Sequence, residues 1–171
     1  MTQAERVLAA SISEQTPTCV VTACLLGMHQ LGRWLIVRDA HDRDRWRLPG
    51  GQARTGESPR TTAARGAREE IGLDLPAHDL LLTSWIAGGP GHPDRMVLLF
   101  ATRTLTDDDL TAITLDTSVV DAYCLAAPGP DLPVSPLLAE QLAHLTIYGR
   151  GHYLEQHHAR KDPLTEGHHH D

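Results

Sequence analysis

The sequence predicts an α/β (α+β) domain: one mixed sheet flanked by helices. Three observations predict it. Apolar, β-branched runs of strand length recur along the chain. Two segments of helical period carry their own start and stop residues. The order helix, hairpin, helix, several strands, helix suits a sheet covered by helices.

Residues 2–14, TQAERVLAASISE, put Val7, Leu8 and Ile12 on one face of a short amphipathic helix, an N-terminal extension spanning 1–16. Pro17 breaks the chain. Cys19–Leu26 reads as a buried strand, 27–32 as a turn and Arg33–Arg38 as a second strand, together a hairpin. Trp46–Leu48 is apolar and strand-like, and Pro49-Gly50-Gly51 stops it sharply. Ser58 is a good helix cap, with Pro59 at the first helical position. Residues 59–70 favour helix except at Gly66, and Gly72 sits where a helix-ending glycine belongs. Strands follow at Leu80–Ala87, Met96–Thr104 and Val119–Leu125. Asp107 to Asp109 look like a helix-start cluster. Leu137–Tyr148 reads as a closing helix with Leu138, Leu142 and Leu145 on one face. One domain over 17–155 is expected, then a polar, His-rich, disordered tail over 156–171. Its His168, His169 and His170 read as incidental.

With 171 residues the chain suffices for one core and is short for two. The net charge of −7 argues against a nucleic-acid polymer as partner. It leaves room for a small phosphorylated ligand, which needs only local cations or a metal. No apolar run approaches the roughly 20 residues that span a membrane. Glu5, Arg6 and Glu14 interrupt any leader-like stretch, so a cytoplasmic location is the expectation. Cys19, Cys24 and Cys124 are expected to be buried, reduced thiols.

Chemistry concentrates in Gly51-Gln-Ala-Arg-Thr-Gly-Glu57 and, seven residues on, Arg65-Gly66-Ala67-Arg68-Glu69-Glu70-Ile71-Gly72-Leu73. Two adjacent carboxylates near a helix C-terminus oppose the helix dipole and repel each other. A cation relieves both problems. Mg²⁺ suits because it takes oxygen ligands and keeps waters that a phosphate can replace. The plainer reading is a solvated helix end, with Glu69 paired to Arg65 four residues back.

The wider spacing shifts the balance. The stretch from Gly51 to Leu73 resembles the Nudix box: G, five residues, E, seven residues, R-E-aliphatic-x-E-E-x-G-aliphatic. Gly51, Glu57, Arg65, Glu69, Glu70 and Gly72 match six of its seven fixed positions. Chance would produce this on the order of 10⁻⁵ of the time, so the resemblance outweighs the helix-end reading. It covers roughly residues 18–155. It implies an α/β/α sandwich and Mg²⁺- or Mn²⁺-dependent hydrolysis of a diphosphate linkage in a nucleoside diphosphate derivative or related organic diphosphate. By position, Glu70 resembles a principal metal ligand and Glu69 a second. A carbonyl of Gly50 or Gly51 would reach the same metal. Glu57 and Arg65 look like the pair that fixes loop and helix.

The departure is Gly66, where the family carries a glutamate that binds metal or acts as base. A helix-interior glycine is also about 1 kcal/mol worse than alanine, so Gly66→Glu is expected to stabilise the helix and raise activity. Asp116 and Asp121, around the last strand, could supply the missing acid, though each reads first as a solvated loop aspartate. Trp46, Trp85 and Tyr123 could stack on a base, with core packing the better reading. Arg38, Arg47 and Arg95 could hold phosphates but read first as surface charges. The alternative to an enzyme is a catalytically impaired Nudix fold that binds a nucleotide or phosphorylated ligand. A homodimer through the N-terminal helix is open, and loops 88–95 and 128–136 are the expected determinants of specificity.

Overall fold

A computed structural model describes Thr2, residues 18–89 and residues 91–157. Apart from Thr2, the helix expected over 2–14 lies outside the described residues, as does the His-rich tail beyond His157. Eight strands and three helices are described: β1 (Cys19–Leu26), β2 (Trp34–Asp39), β3 (Trp46–Arg47), β4 (Gly50–Gln52), α1 (Pro59–Ile71), β5 (Leu80–Ala87), β6 (Asp94–Ala101), α2 (Asp107–Ala112), β7 (Val120–Ala126), α3 (Pro136–Tyr148) and β8 (His152–His157). None of the described helices is long and apolar enough to cross a membrane.

The strands form two sheets. One runs β4-β1-β6-β5-β8 and is mixed, with β1 parallel to β6 and β5 parallel to β8. The other runs β3-β2-β7 and is antiparallel. The hairpin expected from β1 and β2 therefore does not form. The two strands meet only near their connecting turn, through the Met28–Trp34 bridge, and then enter different sheets. Both edges of β1 are taken elsewhere: Ala23 pairs with Gly51 on one side and Leu98 on the other. Cys24 pairs with Gly50, so Pro49-Gly50-Gly51 is the entry to a short strand and not only a stop.

The two faces of β2 explain the layering. Leu35 and Val37 pack with Ala63, Ala67 and Ile71 of α1. Trp34 and Ile36 pack into a second cluster with Leu82, Leu99 and Leu142, the last from α3. Alternation along a strand sends successive side chains to opposite faces, and here both faces are covered. The result is the α/β/α arrangement.

The expected helix starts and stops form. Ser58 Oγ accepts from the Thr61 N–H at 3.2 Å, Pro59 opens α1, and Gly72 closes it at φ 72°. Thr106 and Asp109 make a reciprocal capping box on α2. The last strand differs from expectation. Residues 155–157 lie in β8, and Gln156 is buried against α3, bonded to Gln141, Glu140 and the Leu137 carbonyl. The three cysteines are unpaired, but Cys19 is exposed and only Cys24 and Cys124 are partly covered.

Candidate active site

α1 carries the candidate groups because its capping sets the helix phase. Residues 62, 63, 66, 67, 70 and 71 face inward as the buried stripe. That phase points Glu70 toward the β3–β4 junction and leaves Glu69 at the rim, half-exposed.

Glu57 and Arg65 are in direct contact. Arg65 Nε donates to Glu57 Oε1 at 2.6 Å and Nη2 to Oε2 at 2.9 Å. Arg65 also donates to the Gln52 carbonyl at 3.0 Å, tying α1 to the end of β4. Glu57 further accepts from the Arg54 N–H and the Thr62 hydroxyl, at 3.0 Å each. The Arg65 guanidinium, then the Arg54 amide, holds the Glu57 carboxyl down at about 2. The Arg65 cation is stabilised in turn, chiefly by Glu57.

The two adjacent carboxylates have separate partners. Glu69 accepts from Arg65 at 2.7 Å and from Arg54 at 3.1 Å. Glu70, 6% exposed, is gripped on both oxygens by Arg47, at 2.8 and 3.1 Å, and accepts the Gly50 N–H at 3.1 Å. Burial works against the Arg47 cation. The hydrogen bonds and charge of Glu70 outweigh it and hold Arg47 protonated. Beside them, burial pushes the Cys24 thiol up to about 12, so no thiolate competes there.

Arg47 read as a surface charge in the sequence, and the structure corrects this. Trp46 and Leu48 turn toward the cluster shared with α3, so Arg47 between them must point to the α1 side. Its cross-strand partner is Val37, which packs on α1. The alternation Trp46-Arg47-Leu48 was the signal available.

Gly66 lies against the Gly50 backbone. A β-carbon at residue 66 would stand 2.6 Å from the Gly50 oxygen and 2.8 Å from its Cα, and closer still to the carbonyl carbon. Real β-carbons do not approach so near, and the obstacle is backbone. The expectation that a larger residue here would stabilise is therefore overturned. Gly66 is the contact that lets α1 and β4 touch. Around Gly51, by contrast, a β-carbon would meet nothing within 4 Å.

Asp121 is bound to Arg38 at 2.7 Å and faces Arg43 at 3.5 Å. Arg38 lies over Trp46, on the other face of the small sheet from Arg47. Asp116 accepts from the Ser118 hydroxyl and amide. Its backbone N–H bonds the Glu70 carbonyl, so the chain passes the helix end while the side chain serves its own turn. Both aspartates are held below their ordinary range, by Arg38 and by Ser118 respectively. Among the described residues no group of three or more His, Cys, Asp or Glu side chains is gathered as a metal cluster.

Glu69 and Glu70 nevertheless have the chemistry a hard divalent cation needs. They are adjacent oxygen donors, one nearly buried, and a cation would have to share them with the arginines that now pair with them, Glu69 with Arg65 and Arg54 and Glu70 with Arg47. Two carboxylates, a backbone carbonyl and water are an acceptable set for Mg²⁺.

The paired glutamates thus close a capped helix that Arg65 braces to β4 and that packs on the mixed sheet. Residues 17–129 match the NUDIX domain family model, and the chain belongs to that family. Among curated proteins none matches the sequence. Solved structures share the fold. A MutT protein from Methanosarcina mazei Go1 is 17% identical at a TM-score of 0.64, with 77% of this chain and 95% of that one covered. A UDP-X diphosphatase is 20% identical at 0.58, covering 90% and 76%. An ADP-ribose pyrophosphatase from Streptococcus suis is 21% identical at 0.55, covering 82% and 100%.

Proposed function

We propose that this Nudix-type enzyme hydrolyses a diphosphate linkage in a nucleoside diphosphate derivative or related organic diphosphate, with Mg²⁺ or Mn²⁺ as cofactor. The observation that carries the reading is the pair Glu69–Glu70, set beside the Gly50–Gly51 turn by the Arg65–Glu57 brace. Glu69 and Glu70 would hold the cation with a backbone carbonyl of the Gly50–Gly51 pair, and Gly50 suits better because its N–H already faces Glu70 while Gly51 pairs with Ala23 of β1. The metal supplies charge neutralisation at the diphosphate and lowers the pKa of a bound water. Arg65 and Glu57 keep helix and loop in register. Arg54, exposed at the rim, offers a guanidinium to a phosphate oxygen. The similar structures named as a UDP-X diphosphatase and an ADP-ribose pyrophosphatase fit that substrate class.

A screen of phosphate or nucleoside monophosphate release over nucleoside diphosphate sugars, dinucleotides and prenyl diphosphates, with Mg²⁺ and Mn²⁺, tests it. Activity on one class that disappears in Glu70→Gln supports the reading. Equal activity in Glu70→Gln places the reaction elsewhere.

One observation favours a second reading, a ligand-binding protein with little turnover. Gly66 has no room for the third carboxylate, and Asp116 and Asp121 are engaged with other partners. Tight nucleotide binding without product over long incubation would select it.

A further inference from the structure

We propose that Arg47 is a built-in counter-cation at the metal position: its guanidinium and a divalent metal compete for the Glu70 carboxylate, so metal enters as Arg47 leaves. This rests on the reading of Glu69 and Glu70 as metal ligands.

The grounds are occupancy, charge and anchorage. Both oxygens of Glu70 already receive Arg47, and the Gly50 N–H takes a third direction. A cation approaching this nearly buried carboxylate meets a guanidinium first. The charges also conflict. Glu70 and Arg47 neutralise each other, so a divalent ion added beside them would leave uncompensated positive charge where screening is poor. Arg47 is weakly tethered otherwise. Its remaining bond, to the Leu48 carbonyl, is 3.4 Å long, and its side chain is more exposed than that of Glu70. It can therefore turn outward. The contrast with Arg65 is direct, because Glu57 and the Gln52 carbonyl hold that residue in place whatever happens at Glu69. A guanidinium freed beside the metal suits a phosphate oxygen pair. The Arg47–Glu70 pair would thus keep Glu70 satisfied without metal and make metal affinity weak until the arginine has another anion.

Calorimetric titration of the full-length protein with Mg²⁺ tests this; Mg²⁺ favours carboxylates over the imidazoles of the His-rich tail. Arg47→Gln should bind Mg²⁺ at least tenfold more tightly than wild type, and Glu70→Gln should lose the site. Arg47→Lys keeps a charge but cannot fork, and should bind severalfold more tightly than wild type; it serves as the test if Arg47→Gln does not fold. Wild-type affinity in both Arg47 variants, with loss in Glu70→Gln, overturns the competition and leaves the metal site standing. Mg²⁺ binding unaffected by Glu70→Gln, or absent from every variant, overturns the metal reading and the competition with it.

Discussion

Replacing Gly66 with alanine isolates the contact between α1 and β4. Helix propensity alone predicts a gain of about 1 kcal/mol. The structure predicts the reverse. The new β-carbon would lie 2.6 Å from the Gly50 oxygen, whereas ordinary contact begins near 3.4 Å. The helix or the loop must move by at least that difference, about 0.8 Å, against a packed neighbour. Gly50 cannot retreat freely, since a β-carbon on it would itself lie 2.6 Å from the Cys24 Cα, which shows how closely β1 backs it. Overpacking of this kind costs about 1–3 kcal/mol. After the helix gain, a net loss of up to about 2 kcal/mol remains, or up to about 4–8 °C in melting temperature at this size. Gly51→Ala is the control, because open space surrounds that position, and it should shift the melt by less than about 0.5 kcal/mol. Thermal denaturation followed by circular dichroism, without metal, reads both. A melting temperature for Gly66→Ala above wild type would refute the packing argument and restore Gly66 as a plain weak point in the helix. Gly66→Glu should melt no higher than Gly66→Ala, since it adds a third acid to the same helix end.

Arg47→Met should destabilise by about 3 kcal/mol in urea denaturation, because it strands Glu70 in the interior. Arg47→Met combined with Glu70→Leu should recover most of the loss, and no recovery would contradict the pairing. Glu57 is held at about 2 against an ordinary 4.5. The unfolded chain therefore binds more protons between those values, and stability falls as pH drops through that window. Glu57→Gln should reduce the fall of the denaturation midpoint across pH 4.5 to 2, the remainder coming from other lowered carboxyls such as Asp116 and Asp121, and an unchanged slope would count against the Arg65 contact. Ser58→Ala should cost about 1 kcal/mol by removing the cap on the Thr61 amide, measured from the same urea curves.

The legible part of this protein was local. Ser58, Pro59 and Gly72 announce α1 because caps and turns are decided by neighbouring residues. Strand β5 and the closing helix were readable for the same reason, from a largely apolar stretch and from leucines at helical spacing. Partnership between strands was not. β1 and β2 look like a hairpin in sequence, and nothing nearby says that β6, some 75 residues on, takes the edge of β1 in parallel. Short β4 was hidden because glycines pair well there only once α1 has come to rest on them. β8 was hidden because His152–His157 is polar, and Gln156 is buried only through hydrogen bonds that α3 supplies. In the site, the brace Glu57–Arg65 followed from the resemblance to the Nudix box. Arg47 did not, since its role depends on which face of a two-residue strand turns to the helix. Gly66 was visible as a departure, but its reason lies in a backbone contact across sixteen positions.

The final strand also bears on the order in which the chain can become a finished domain. The family match ends at residue 129, yet α3 puts Leu142 into the second core cluster, and β8 lies beside β5 from Leu82–His152 to Ala87–His157. During synthesis β5 must wait with one edge bare while about 65 residues are added. That edge is flanked by Leu81 and Ile86, both buried in the completed fold. A nascent chain halted near the family boundary would carry an adhesive strand edge. Docking of the last described strand thus moves the sheet edge from the apolar β5 to the polar β8, His152–His157, which invites less pairing.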